Sequence, residues 1–482
     1  MPFDERLDRI AQPAADAITS VVFYKVHAFG ADWPLVVVWL VAGAAFFTLA
    51  FLGINLWGLP LGLRVTAGQF DEPDAPGEIT HFQALTTALS GTVGIGNIGG
   101  VAVAIAAGGP GVVFWMVLAG VLGMATKFVE CTLGVRYREH LPDGSVSGGP
   151  MHYLEKGLAE LGVPRLGKAI GGFYALGIVI GCLGIGNMFQ ANQAAVQLQA
   201  ITGGPQGALA GYGWVVGLVL AVIVGAVILG GVKTIAKVTD KLVPVMGTTY
   251  ILAALALVLS QHEVIQPVLV RIWTEAFTPE GIAGGGVGVM IIGFQRAVFS
   301  NEAGIGSASI AHSAVKTNHP ATEGLVALMG PFFDTVIVCT LTALVILTTA
   351  ESVPGFMDTD LEGVAMTSQA FAQTAPSAPY PIAVVALLFA VSTMIAWAYY
   401  GLKGWTYLVG EGKRAQQIYS AVFCLFIVVG AAIKLDAVLE ISDALVFLLC
   451  VPNVLGLILL TPTVWRELRS FLAVVREARS TR

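Results

Sequence analysis

Apolar runs of about twenty residues recur along nearly the whole chain, each long enough to cross the roughly 30 Å hydrocarbon core of a bilayer as a helix. Only 12% of the 482 residues are charged and 56% are hydrophobic, whereas soluble globular chains carry about 25% charge. Inside hydrocarbon a spanning segment must satisfy its own backbone N–H and C=O groups. The pattern therefore predicts an all-α polytopic membrane protein. We read about eleven spans, near 34–57, 81–107, 111–136, 168–200, 212–232, 241–260, 283–314, 321–349, 380–402, 415–433 and 437–461.

An odd number of spans puts the termini on opposite sides, and the distribution of Lys and Arg chooses between the two arrangements. One side collects Arg136, Arg138, Lys156, Arg165, Lys168, Lys233, Lys237, Lys241, Lys316, Lys403, Lys413, Arg414 and a basic tail from Arg466 to Arg482. The other holds little more than Arg6, Arg9, Lys25, Arg271 and Lys434. The C-terminus is expected in the cytoplasm and the N-terminus outside, in a cell (inner or plasma) membrane. The polar stretch 350–379, with Asp358, Asp360 and Glu362, reads as the main outer loop. The first thirty residues lack the order of a secretory signal. Leu7, Ile10, Ala14, Ile18, Val21 and Val22 instead recur at helical spacing, so residues 1–33 read as an interfacial segment.

Net charge of −6 argues against nucleic acid as a partner. Five cysteines without paired spacing read as buried thiols. The seven histidines form no His-Glu-x-x-His pattern, Gly144–Gly148 is no nucleophile elbow, and no phosphate-binding loop is present. These absences weigh against a membrane-embedded enzyme and against direct use of ATP. No cofactor and no obligate protein partner are expected.

The pattern Ser-x-x-x-Gly-Ile-Gly occurs twice, at Ser90–Gly96 and at Ser300–Gly306, each inside a long apolar stretch. Glycines in membrane helices commonly mark close packing, and a third Gly-Ile-Gly at 184–186 sits in what reads as continuous helix. The first two copies differ in their polar company. Ser90, Thr92 and Asn97 flank one, and Ser300, Asn301, Glu302 and Ser307 flank the other. Polar groups at that depth need partners or a ligand. One broken helix in each half of a chain points to a transporter built from inverted repeats, with its site at the repeat interface. A channel would instead call for pore rings built by several subunits.

Three longer segments carry a resemblance: Thr86-Thr-Ala-Leu-Ser-Gly-Thr-Val-Gly-Ile-Gly-Asn-Ile-Gly-Gly100, Gly108-Gly-Pro-Gly-Val-Val-Phe-Trp-Met116 and Gly293-Phe-Gln-Arg-Ala-Val-Phe-Ser-Asn-Glu-Ala-Gly-Ile-Gly-Ser-Ala308. Over nearly the whole length the chain resembles the alanine or glycine:cation symporters, which share the leucine-transporter fold. Val117 departs from the pattern, where an aromatic residue usually follows Trp-Met. The resemblance implies sodium-driven uptake of alanine or glycine. It also implies a five-plus-five inverted repeat after one accessory helix: a transmembrane domain over 34–461, with repeats near 81–260 and 283–461, and a basic cytoplasmic tail over 462–482.

By that resemblance the substrate carboxylate would meet the backbone and hydroxyl around Thr92, Gly94 and Gly96, beside Asn97. The amine would face carbonyls near Phe299 and Ser300, with Phe299 as a pocket wall. Gln190 would donate to the carboxylate, while Asn187 and Asn192 serve either the site or interhelical bonds. Sodium would sit among carbonyls near Ser90 and Val93, the carbonyl of Phe389 and the hydroxyls of Ser392 and Thr393. The last two could equally bond back to their own helix. Trp397 would cap the substrate or anchor the helix at the interface.

Ionisable residues inside spans are Lys127, Glu130, Arg296, Glu302, Glu323, Asp334, Glu440 and Asp443. Lys127 and Glu130 have pair spacing, and Glu302 reads as structural or gating. Lys241 stands only at the start of its span, which favours sodium over a proton. The same fold with another zwitterion or a nucleobase as cargo, or with proton coupling, is the nearest alternative.

Overall fold

The computed structural model describes residues 3–28, 31–72, 74–277, 286–358, 363–433 and 436–480. Asp360, Glu362, Lys434, the start of the span expected at 283 and the last two residues lie outside that range. The protein is built of helices, with two short hairpins between them. An amphipathic helix α1 (Phe3–Val22) leads through the hairpin β1 (Lys25–Ala28) and β2 (Ala31–Pro34) into α2 (Leu35–Ala50). There the first expected span turns by 69° into α3 (Ile54–Thr66). Gly53 supplies the corner with a positive φ of 71°.

Thr80 then caps α4 (His81–Thr92) in a capping box with Gln83. After a break the chain resumes as α5 (Gly96–Gly108), bent 53° from α4. The first signature motif thus falls in the middle of its span. Then follow α6 (Val112–Arg136), α7 (Pro150–Glu160), α8 (Pro164–Ile201), α9 (Gly213–Ile228), α10 (Gly231–Ser260) and α11 (His262–Glu275).

The second break parts α12 (Gly286–Asn301) from the single turn α13 (Ala308–His312). Beyond it come α14 (Pro320–Ser352), α15 (Gly363–Thr374), α16 (Pro379–Val409), α17 (Lys413–Ala432), α18 (Asp436–Leu459) and α19 (Thr461–Ser480). Among the described residues seven helices are long and apolar enough to span, or nine if each bent pair counts once. Eleven is not reached on that measure, because α9 and α12 have 16 residues each.

Both ends of the chain dock on the helical body. α1 packs along α18, with Ala15 fully buried and Phe23 against Phe447. The expected basic tail is the amphipathic helix α19. It buries Val464, Leu468, Phe471 and Val475 at spacings of three and four, and Glu467 pairs with Arg136 at 3.1 Å.

The third Gly-Ile-Gly is not plain helix. Residues Gly184–Met188 form a π turn within α8, a common device where a helix is opened for function. Phe332–Cys339 in α14 is a longer one.

Candidate functional site

α4 stops because Val93 leaves helical geometry at φ −79° and ψ 89° and Gly94 follows with no side chain. Thr393 fills that gap. A Cβ on residue 94 would lie 2.6 Å from Thr393 Oγ1 and 3.7 Å from Gln190 Oε1. Both oxygens are buried with no hydrogen-bond partner among the described residues, an arrangement that is costly without a ligand. Gln190 does not present its amide NH₂ here. Nε2 donates to the Ile185 carbonyl in the π turn at 3.3 Å, so its oxygen faces Gly94.

Around the first break the expected ion-binding residues meet. Ser90 Oγ donates to the Ser392 carbonyl at 2.9 Å, and Ser392 Oγ lies 2.9 Å from the Phe389 carbonyl and 3.5 Å from that of Ser90. Val93 ends α4 beside them, and all five residues are buried. The set offers oxygen alone, as a hard cation requires. Thr92 is turned back on its own helix, with Oγ1 3.5 Å from the Ala88 carbonyl and 3.4 Å from that of Leu89.

Asn97 links the two breaks. Its Oδ1 accepts from the Gly94 N–H at 2.8 Å, which takes that donor away from the carboxylate role expected for it. Its Nδ2 donates to Ser300 Oγ at 3.1 Å and to the Asp334 carboxylate. Asp334 also accepts from Ser300 Oγ at 2.8 Å and from Thr335 Oγ1 at 2.7 Å. It had stood out in the sequence only as a charge inside a span. Fully buried in the π turn of α14, it is the carboxylate that joins both signature motifs.

The second break is shaped by backbone sign. Gly304 and Gly306 have φ of 95° and 92°, and Glu302, a non-glycine, is held at 56°. Ser307 Oγ bonds the Glu302 carboxylate. Glu130 accepts from the Gly304 N–H at 2.9 Å and from Asn453 Nδ2 at 3.1 Å, Asn453 donates to the Gly304 carbonyl at 2.8 Å, and Tyr174 to that of Ile305 at 2.8 Å. Lys127 stands 4.0 Å from Glu130, both buried.

A cavity of about 1040 Å³ runs from the site to Leu209, Gly211 and Gly213 and to Ala431, Ala432 and Ile433 at one end of the bundle. Ile95, Gly96, Phe189 and Phe299 line it, together with Arg296 and Asp443. Ile95 and Gly96 open α5, where the first N–H groups of a helix lack intrahelical partners. The Phe299 ring is 3.9 Å from where a Cβ of Gly96 would stand. A second cavity of about 410 Å³ enters from the far end and reaches Tyr399 and Lys403.

Trp397 lines neither cavity. It is 2% exposed, donates to the Gly91 carbonyl at 3.2 Å and lies against Gly186 and Tyr400, so it is a buried plug and no interfacial anchor. Asn187 and Asn192 donate to the carbonyls of Phe423 (2.7 Å) and Gly430 (3.2 Å), the interhelical alternative.

Many apolar helices, two of them broken and facing each other across buried oxygens, define an ion-coupled multi-pass membrane transporter. The fold is that of MhsT, crystallised in complex with L-phenylalanine, which matches with a TM-score of 0.55 and 16% identity over 80% of this chain and 88% of that one. The model of the sodium:alanine symporter family matches residues 16–482, and the chain belongs to that family. Among its relatives, the sodium/alanine symporter AgcS of Methanococcus maripaludis is 39% identical over 91% of this chain and 94% of its own. The amino-acid carrier protein AlsT of Bacillus subtilis is 33% identical, over 91% and 90%. The protein is thus a sodium-coupled amino-acid transporter and not an enzyme.

Proposed function

We propose that the protein carries alanine, and glycine as the smaller homologue, into the cell with sodium by alternating access. The observation that carries this reading is the convergence of Thr393 Oγ1 and Gln190 Oε1 on Gly94, beside the Ser90–Ser392 pair. Unpartnered buried oxygens next to exposed carbonyls suit a hard cation and an ammonium group. Family membership and a relative named for sodium and alanine support the same cargo.

In this reading Ser90, Val93, Phe389, Ser392 and Thr393 hold sodium. The carboxylate meets the N-terminal turn of α5 at Ile95 and Gly96, favoured by the helix dipole, and the amine meets the carbonyl side near Phe299 and Ser300. Phe299 and Phe189 at the base of the cavity limit the side chain to about a methyl group. The cavity that reaches Gly96 is the outer entry and the basic side is cytoplasmic, in an inner or plasma membrane. Residues 81–260 and 283–461 are the two repeats. Trp397 and Tyr400 close the inner path.

Radiolabelled alanine uptake by the purified protein in liposomes tests this. An imposed sodium gradient is expected to drive accumulation. Accumulation that is as large in sodium-free buffer with a proton gradient would replace sodium with protons as the coupling ion. Failure of alanine and glycine to compete with each other would refute the shared pocket.

A further inference from the structure

Away from the transport site, α19 meets the corner where α2 turns into α3. Trp465, in the second turn of α19, donates its ring N–H to the Ala50 carbonyl at 3.1 Å. Its ring stacks on Phe51 with centroids 5.2 Å apart. Ala50 ends α2, where carbonyls lose their intrahelical donors, so Trp465 supplies a bond that the corner would otherwise lack.

Two kinds of surface adjoin this contact. Leu49, Leu52 and Leu56, on either side of the corner, are each 76% exposed. Apolar exposure of that extent is costly in water and natural against acyl chains. Arg466 and Arg469 stand exposed beside Trp465 and, with Thr461 and Pro462, line a groove of about 560 Å³.

The two guanidiniums have donors to spare. Arg469 lies over the Trp465 ring, 5.2 Å from its centroid, and Arg466 reaches only Thr463 of its own helix at 3.3 Å. Neither forms an ion pair among the described residues. Glu467, between them in sequence, is held by Arg136 at 3.1 Å.

Paired guanidinium forks match the oxygens of a phosphate, and a tryptophan suits the boundary between headgroups and hydrocarbon. Charge selects the headgroup. A zwitterionic lipid brings its own cation toward two arginines, whereas an anionic lipid brings none. We propose that this groove binds the phosphate of an anionic phospholipid in the leaflet on the basic side, with its chains along the exposed leucines. The lipid then clamps α19 onto the α2–α3 corner. Free phosphate offers the same oxygens but cannot cover the leucines. The proposal does not depend on the cargo or the coupling ion.

The thermal transition of the full chain, stripped of lipid in an uncharged detergent, provides the test. Phosphatidylglycerol is expected to raise it by several degrees, as a ligand of the folded state does. Phosphatidylcholine at the same mole fraction, or inorganic phosphate at the same concentration, should not. Arg466→Gln with Arg469→Gln should abolish the shift and leave the transition in phosphatidylcholine at the wild-type value. Lys413→Gln with Arg414→Gln removes as much exposed charge elsewhere on the basic side and should keep the shift.

Equal loss of the shift in both double variants would reduce the effect to diffuse surface charge and overturn the site. A shift with inorganic phosphate as large as that with phosphatidylglycerol would overturn the lipid as its occupant. If the arginine variant is also less stable in phosphatidylcholine, native mass spectrometry decides. Wild-type protein should then retain one more phosphatidylglycerol than the variant, and equal numbers would refute the proposal.

Discussion

The Ser90 hydroxyl donates to the Ser392 carbonyl at 2.9 Å, and the Ser392 hydroxyl, which donates to the Phe389 carbonyl at 2.9 Å, lies 3.5 Å from the Ser90 carbonyl. This cluster joins α4 to α16 with oxygens only. A hydroxyl that donates to a carbonyl still has lone pairs to offer a cation. Ser392→Ala is therefore expected to raise the sodium concentration for half-maximal alanine uptake by about tenfold, or about 1.4 kcal/mol, with a smaller change in alanine affinity at saturating sodium. An unchanged sodium dependence would move the ion away from this pair.

Two glycines make contrasting predictions. A Cβ at Gly94 would meet Thr393 Oγ1 at 2.6 Å, and that hydroxyl can rotate aside. Gly94→Ala should fold, purify normally and lose sodium-dependent uptake. A Cβ at Gly186 would meet Trp397 Cβ at 2.3 Å and its ring at 2.2 Å. A Cβ is fixed to its backbone, so Gly186→Ala should lower the thermal transition and the yield of folded protein, as overpacking does at a cost of about 1–3 kcal/mol. Equal stability of the two variants would count against this division.

His152 lies in α7, outside the spans, and is 4% exposed. Burial above all, then Lys156 and Lys403, brings its pKa down to about 3. Glu139, 3.7 Å away, is itself half exposed and does not offset them. Between that value and the ordinary one near 6.5, the unfolded chain binds a proton that the folded chain refuses. The stabilisation is complete above about pH 6.5 and declines as pH falls, by at most about 1.4 kcal/mol per pH unit. In detergent, wild-type protein should lose thermal stability from about pH 7 to about pH 5 more steeply than His152→Gln. Parallel pH profiles would exclude His152 as the source.

The spans were legible because hydrocarbon imposes length and apolarity on every helix that crosses it. The two breaks were legible because Ser, Asn and Glu accompany their glycines. What escaped is what composition does not encode. A π turn shifts the helical register by one residue and leaves no pattern, so Gly184–Met188 read as plain helix. The corner at Gly53 lies within an unbroken apolar run. α19 reads as a basic tail when its charges are counted, and as a docked helix when Val464, Leu468, Phe471 and Val475 are set at helical spacing. The Gln190 amide could not be oriented from sequence, because its direction depends on the Ile185 carbonyl that the π turn exposes.

Asp334 is the residue whose importance the sequence most understated, and its geometry leads to a sharp expectation. One carboxylate oxygen accepts from Ser300 and Thr335 together, at 2.8 and 2.7 Å, and the other from Asn97. A carboxylate accepts at both oxygens, whereas a carboxamide accepts at one and donates at the other end. Asp334→Asn must therefore turn an NH₂ group toward at least one of these donors and leave a buried mismatch. It also removes the negative charge between the two breaks, beside the place proposed for the substrate amine. Alanine binding is expected to weaken by about 10–100-fold, the scale of a lost charged hydrogen bond of roughly 1.5–3 kcal/mol. Isothermal titration in saturating sodium measures it directly. Because Asn97 and Ser300 also bond each other at 3.1 Å, the two motifs should stay in contact and the fold should survive. Near-native alanine affinity in a well-folded Asp334→Asn would show that Asp334 holds the helices together without acting on the substrate.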